Sequence, residues 1–257
     1  MKKIHETSMV APEAELGDGV EIGPFCIVGP HVRLGSGTRL LGHVVVDGNT
    51  TLGEACEVHP FARLGGKTQD LKYSGGTTYA EIGDRTVLRE CVTVNCGTKD
   101  GEVTRVGADC LLMAYCHVAH GCVLGNGVIV SNGTQFAGEV MVEDRATLSG
   151  LIVVHQFCRI GTMSMVGGCA KITQDVPPYM LVDSPGAVVH GVNTVGLTRR
   201  GFGEETRGAL KQAYKLLYRS EIHVGEALAR IESELPDLPE IRHLVGFYRS
   251  TSRGVIR

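Results

Sequence analysis

From Ile4 onward an aliphatic residue returns at every sixth position: Val10, Leu16, Ile22, Val28, Leu34, Leu40, Val46, Leu52, Val58 and Leu64. The pattern resumes at Ile82, Leu88 and Val94. It then runs from Val106 through Leu112, Val118, Leu124, Val130, Phe136, Val142, Leu148, Val154, Ile160 and Val166 to Ile172. Four residues after a station stands a small or β-branched residue, as at Ala14, Val20, Cys26, Val32, Thr38 and Cys56. Gly follows the station directly at Gly17, Gly23, Gly29, Gly35, Gly53 and Gly65. A helix repeats its apolar face about every 3.6 residues and a half-buried strand every second residue, so neither produces a strict six. A three-sided parallel β-helix does. Each hexapeptide supplies one short strand with its station turned inward, and three of them close a coil. Stacked coils make each side a parallel sheet with strands roughly 4.8 Å apart. The Gly after the station is expected at corners that need positive φ.

The rule fails twice. Between Leu64 and Ile82 the stations would be Asp70 and Gly76, and between Val94 and Val106 the station would be Asp100. A carboxylate turned into an apolar prism would be a buried, unpaired charge. Segments 66–81 and 98–105 are therefore expected to be loops extruded from the solenoid, where function tends to sit. After Ile172 the period stops at Pro177-Pro178. Leu210, Ala213, Leu216 and Leu217 then follow Glu204-Glu205 with helical spacing, and further helices are expected around 224–235 and 239–248, the last with Pro239 in its first turn. The chain thus divides into a parallel β-helix domain over 1–187 and a small α-helical C-terminal domain over 188–257. That domain would also cover an open end of the solenoid.

Composition narrows the reading. With 43% hydrophobic residues the chain is not disordered, and with no Trp and 5% aromatics its core is packed by aliphatic side chains. A net charge of −3 gives no basic field for nucleic acid or an anionic membrane. No apolar run approaches the ~18–20 residues of a spanning helix, and Lys2 and Lys3 lack the apolar stretch of a signal peptide. A cytoplasmic protein is expected. The nine cysteines form no CxxC pair. Cys26, Cys56, Cys110, Cys116, Cys122 and Cys158 occupy the small slot, where a buried thiol acts as a small hydrophobe. A metal site at Cys110, Cys116 and Cys122 is the alternative, although the same slot elsewhere holds Ala, Thr or Val.

Inward stations are packing, so candidate chemistry lies on outward polar residues. His117 and His120 bracket Val118-Ala119 near one corner and could share a metal or supply a general base, or stand as solvated corner histidines. His155-Gln156 forms a similar outward pair. Asp70 sits in the first loop with Gln69 and Lys72. Arg199-Arg200, beyond Asn193, could grip a phosphate.

Several segments resemble the bacterial acyl-ACP–UDP-N-acetylglucosamine O-acyltransferases: Ile22-Gly23-Pro24-Phe25-Cys26-Ile27-Val28-Gly29-Pro30-His31, Gln69-Asp70-Leu71-Lys72-Tyr73, His117-Val118-Ala119-His120 and His155-Gln156-Phe157-Cys158. So do Val166-Gly167-Gly168-Cys169, Gln174-Asp175-Val176-Pro177-Pro178-Tyr179, Arg199-Arg200-Gly201-Phe202 and Ala213-Tyr214-Lys215-Leu216-Leu217-Tyr218-Arg219-Ser220. The likeness runs through the whole chain in order. It implies a left-handed parallel β-helix with a helical C-terminal domain, working as a cytoplasmic homotrimer in a Gram-negative-type bacterium. It also implies the first step of lipid A biosynthesis. An (R)-3-hydroxyacyl chain passes from acyl carrier protein to the glucosamine 3-hydroxyl of UDP-N-acetylglucosamine, with no metal and no cofactor beyond the carrier's phosphopantetheine.

By the same resemblance His120 is the general base, Asp70 its partner in the sugar site, and the Gly138 amide the oxyanion donor. Gln69, His117, His155, Gln156, Asn193, Arg199 and Arg200 are expected to bind substrate, and Gly168 to set the depth of the acyl groove. Two residues depart from the family pattern: Glu139 stands where His is usual and Val195 where Glu is usual. They leave a 3-amino sugar open as acceptor. Three other readings compete. An N-acyltransferase of the same superfamily would carry an extra N-terminal uridine-binding domain, for which rungs starting at Ile4 leave no room. A γ-type carbonic anhydrase needs three histidines converging on zinc. A non-catalytic solenoid would show regular Thr arrays and no helical cap.

Overall fold

A computed structural model describes residues 2–183 and 186–257. Every station lies in a strand, most strands being two residues long, and the strands assort into sheets of eleven, nine and eight. Sheet A holds the stations Ile4, Ile22, Leu40, Val58, Leu88, Leu112, Val130, Leu148 and Val166; sheet B follows it in each coil and sheet C follows sheet B. The chain is a left-handed parallel β-helix. From Ile22 upward the stations are almost fully buried, as is the small slot at Val20, Cys26, Thr38 and Cys56. The thiols are packing atoms. Cys110, Cys116 and Cys122 donate to the carbonyls of Gly125, Ser131 and Ala137, and burial pushes Cys116 to about 11 and Cys122 to about 12.

Of the glycines that follow a station, Gly65 takes the expected positive φ (75°), but the others serve a different purpose. Positive φ occurs three residues after the station, at Phe25 (57°), His43 (50°), Tyr115 (65°) and Phe157 (65°), side chains that bear a strain of roughly 1–2 kcal/mol for left-handed backbone. Gly directly after the station instead allows the next coil to approach. A Cβ on Gly17 would stand 2.6 Å from the Ser36 nitrogen, and one on Gly23 would overlap the Leu41 carbonyl.

The broken stretches leave the wall as loops, but narrower ones than the period suggested. Sheet partners are eighteen residues apart in the lower coils (Ile4 with Ile22), thirty across the first loop (Leu52 with Ile82) and twenty-four across the second (Ile82 with Val106). No degenerate rung is inserted. Strand pairing continues through Arg63–Gly66 and resumes at Tyr79–Ile82 and Val103–Val106, because Ala80 and Thr104 turn inward ahead of the stations.

The segment from 188 opens on strand rather than helix. Val188–Val192 returns antiparallel along Met180–Asp183 at the end of sheet A. Four helices follow: α1 (Thr194–Arg199), α2 (Glu204–Tyr218), α3 (Val224–Glu234) and α4 (Pro239–Arg249). The short α1 has no apolar period to announce it. Leu210, Ala213 and Leu217 are buried and Leu216 is half-buried. Two polar clusters fasten this cap to the last coils. The buried Asp175 carboxylate accepts from the Arg159 amide (2.8 Å) and the Thr251 hydroxyl (2.7 Å). Glu143 Oε2 lies 2.9 Å from Nε2 of His243, whose Nδ1 meets the Tyr179 hydroxyl at 2.9 Å.

Burial alone would raise the Glu143 carboxyl, but hydrogen bonds from His243 and the Thr162 amide, with the charges of His243 and Arg159, hold it below the usual range. A depressed folded-state value contributes stability above the unfolded carboxyl value, near 4.3, that is lost as pH falls. Glu143→Gln should therefore lower unfolding stability at pH 7 by about 1–3 kcal/mol. The gap to the parent should shrink as pH drops below about 4, in denaturant unfolding measured at both values.

Candidate active site

Both loops leave the same corner, between sheets B and C, on successive coils. They are joined to each other: Thr68 and Thr98 hydroxyls lie 2.8 Å apart, and the Thr77 amide donates to Asp100 Oδ1 at 2.7 Å. Above them, His120, Gly138-Glu139 and His155-Gln156-Phe157 stack on that corner. The Glu139 amide bonds the His120 carbonyl (2.9 Å) and the Phe157 amide the Gly138 carbonyl (3.2 Å). The result is a cleft of about 490 Å³ lined by Asp70, Lys72, Thr98, Lys99, His120, Glu139 and Phe157 among others.

His120 is the centre of this arrangement. Its side chain is 16% exposed, with Nε2 3.5 Å from Asp70 Oδ2 on the cleft side and Nδ1 3.9 Å from Glu102 Oε2 on the inner side. The ring lies on Gly138, where any Cβ would overlap Nε2 and Cε1. Gly138 is thus Gly to let the imidazole lie against the wall. Its amide has no acceptor among the described residues, as is also true of the His120 and Gln156 amides at the same corner. At the corner between sheets C and A, four amides two residues after the station are capped by side chains: Glu54 by Asp84, Ala108 by Asn126, Asn126 by Asp144 and Thr162 by Glu143. The Gly138 amide holds the equivalent position at the B–C corner.

Three carboxylates surround the imidazole, and the Lys99 ammonium pairs with two of them. Lys99 Nζ is 3.1 Å from Glu139 Oε1 and 3.9 Å from Glu102 Oε1. Its hydrogen bond to Glu139, then the charges of Glu139 and Glu102, raise the lysine and keep it protonated. Glu102, His120 and Glu139 bring potential ligand atoms within 4.8 Å of one another, but Lys99 already bridges the two carboxylates as their cation. His117 stands apart from that group. It projects outward from sheet B with Nδ1 2.7 Å from the Thr93 hydroxyl, and burial lowers it, favouring the neutral ring.

The other expected residues divide by location. Gln69 is exposed beside Asp70, while His155 and Gln156 are exposed one coil above Gly138. Asn193 lies at a different corner, between C and A, where its Nδ2 donates to the Met163 carbonyl (2.8 Å) and its Oδ1 caps α1 through the Gly196 amide (3.1 Å). Arg199 and Arg200 are exposed at the end of α1, as is Val195 within it. Gly168 is at the A–B corner three coils beyond His120, roughly 14 Å along the axis. One chain does not bring these groups to a single point. Glu102 and Lys99 were not foreseen: the failed station at Asp100 marks the second loop, but nothing in the period tells which of its polar side chains turns toward His120.

Comparison with known proteins agrees with this architecture. Residues 175–256 match the family model described as UDP N-acetylglucosamine O-acyltransferase, domain 2, and residues 104–138 match the bacterial transferase hexapeptide model. The chain is 44% identical, over all of both chains, to an acyl-[acyl-carrier-protein]–UDP-N-acetylglucosamine O-acyltransferase of Thermodesulfovibrio yellowstonii, and 43% identical, again over all of both, to one of Herminiimonas arsenicoxydans. Among solved structures, the UDP-N-acetylglucosamine acyltransferase of Bacteroides fragilis superimposes with a TM-score of 0.96 at 37% identity, covering 99% of this chain and 100% of that one. The corresponding Acinetobacter baumannii structure gives 0.95 at 39%, covering 99% of each. With hexapeptide coils, helical cap and full-length identity all in agreement, the chain belongs to the acyl-[acyl-carrier-protein]–UDP-N-acetylglucosamine O-acyltransferase family.

Proposed function

We propose that the protein transfers an (R)-3-hydroxyacyl chain from acyl carrier protein to the glucosamine 3-hydroxyl of UDP-N-acetylglucosamine, the first step of lipid A biosynthesis. The observation that carries the mechanism is the pairing of an imidazole nitrogen with an uncapped amide at one corner, His120 Nε2 beside Gly138. A sugar hydroxyl is a weak nucleophile at neutral pH, so Nε2 takes its proton as the oxygen attacks the thioester carbonyl. The Gly138 amide meets the oxyanion that develops. The tetrahedral intermediate then expels the carrier's thiolate. The C–S bond breaks, the new C–O bond remains, and the proton returns from the imidazolium to sulfur. Asp70 positions the sugar beside Nε2, with Gln69 and His117 bordering it. Every step uses groups of this chain, so the reading needs no metal and no cofactor of the enzyme's own; the chain arrives on phosphopantetheine.

A homotrimer completes the site in this reading. His155 and Gln156 would hold the nucleotide end from the B–C corner. Asn193, Arg199 and Arg200 would approach the uridine and phosphates from the C–A corner of a neighbouring copy. Exposed apolar side chains on the A–B corner and sheet B support such an assembly: Phe25, Phe61, Tyr115 and Leu151, with Met9, Ile27 and Val153 on the sheet. The acyl chain would lie along this surface toward Gly168. No helix among the described residues is long and apolar enough to cross a membrane; the cytoplasm is the compartment this reading implies.

The first test is turnover of 3-hydroxyacyl-ACP with UDP-N-acetylglucosamine. His120→Ala should lower kcat by about 10²–10⁴-fold with an unchanged melting profile, and EDTA should leave the parent active. Near-normal turnover by that variant, or a parent silenced by chelator and restored by zinc, would refute the general-base reading. Gly138→Ala, whose Cβ must displace the ring, should also lose about 10²-fold or more in kcat while remaining folded by circular dichroism. Sedimentation equilibrium at micromolar concentration should return three times the 27.4 kDa chain mass, and a monomer would count against the shared site.

A further inference from the structure

We propose that Glu102 is the positioning residue of His120, accepting the Nδ1 proton and so leaving Nε2 free to act as base. The inference rests on the functional reading above.

Nδ1 is one of only two buried side-chain nitrogen or oxygen atoms among the described residues without a hydrogen-bond partner. A buried imidazole N–H without an acceptor is costly, so the orphan needs an explanation. The nearest charged group it faces is Glu102 Oε2, at 3.9 Å. Glu102 is held rigidly. Its carboxylate accepts from the Thr98 amide and, at 3.4 Å, from the Lys99 amide, its side chain is 15% exposed, and Lys99 Nζ stands 3.9 Å from the other oxygen. The wall leaves space for it: Gly121 carries no side chain, and a Cβ there would approach Glu102 Oε1 to 3.2 Å.

The charged groups facing the ring have unequal roles. Asp70 faces Nε2 from the first loop, at the open cleft, with Oδ1 accepting from the Lys72 amide (2.9 Å). Glu139 and Lys99 pair with each other across the cleft, and Asp100 and Lys72 line it further out. Asp70 is therefore on the substrate's side and can turn to a sugar hydroxyl, whereas Glu102 is on the protein's side and cannot leave. With the proton on Nε2, a buried lone pair on Nδ1 would point at a fixed carboxylate and nothing basic would face the cleft. With the proton on Nδ1, the carboxylate meets an N–H and Nε2 presents its lone pair to the substrate. Active-site hydrogen bonds are often long without substrate, and 3.9 Å is the separation that must close when the cleft fills. Glu102 also stabilises the imidazolium formed during attack, the task of the carboxylate in a Ser-His-Asp triad.

The test compares the parent with Glu102→Gln, Glu102→Ala and Glu102→Asp as full-length proteins. Imidazole ¹⁵N spectra, which need no substrate, should show His120 as the Nδ1–H tautomer in the parent above neutral pH and a shift toward Nε2–H in Glu102→Ala. With acyl-ACP and UDP-N-acetylglucosamine, Glu102→Ala should lose about 10–100-fold in kcat with little change in the sugar's KM, the range for removal of an orienting partner. Its acidic kcat limb should move to lower pH, because a negative neighbour that favours the protonated ring is gone. Glu102→Asp should recover part of both effects. Glu102→Gln keeps the shape and stands in if the alanine variant unfolds. An unchanged tautomer, or an unmoved limb whatever happens to kcat, would overturn the proposal. A parent that turns over neither substrate would instead refute the functional reading, leaving the tautomer result to judge Glu102 alone.

Discussion

Main-chain hydrogen bonding between successive coils is the constraint on which the rest of this molecule depends. At the corner that matters, His117 N bonds Thr134 O, Ala119 N bonds Phe136 O and Glu139 N bonds His120 O. Each coil thereby fixes the height and direction of the next. A position that recurs once per coil becomes a line along the axis, so residues far apart in sequence are stacked neighbours. The inward residues provide the hydrophobic stabilisation, but the ladder decides where the outward residues stand. Its tightness is visible in the wall, where glycine is required simply to let coils approach, and at the corners, where bulky side chains accept left-handed backbone.

That rigidity suits the chemistry. An imidazole resting against Gly138 is confined by the wall, and an amide two residues past a station is placed by the coil that carries it. At the C–A corner the fold caps four such amides with carboxylates and an asparagine; at the B–C corner the Gly138 amide, like those of His120 and Gln156, has no acceptor among the described residues, and it lies beside the His120 ring. The loops then supply charge. Asp70 comes from one, Lys99 and Glu102 from the other, and threonine contacts hold the loops to each other. Scaffold and loops thus contribute different things: the first fixes the reacting geometry, the second sets its electrostatics.

The period of six made the fold legible because every coil repeats one rule, and a single conflict with it, a carboxylate at an inward station, was enough to mark each loop. The histidines could be picked out as outward residues near one corner, and resemblance supplied the roles proposed for them. What stayed hidden depended on atoms rather than period. Gly17 and Gly23 look like turn residues until the neighbouring coil is seen to fill the space of their Cβ atoms. Helix α1 has only a capping Asn193 to define it, and the strand Val188–Val192 follows no hexapeptide at all. Glu102 sits in a loop whose conformation is set by contacts to another loop, and no pattern in the chain encodes that its carboxylate faces Nδ1.

The central claim is that a single corner holds base and oxyanion donor around the sugar's 3-oxygen. A crystal structure of the protein with its acylated UDP-sugar product tests this most directly. The account predicts His120 Nε2 within about 3 Å of the ester oxygen on carbon 3 and the Gly138 amide within about 3 Å of the acyl carbonyl oxygen. Product bound with its ester away from that corner, or with His120 Nε2 turned from it, would contradict the account.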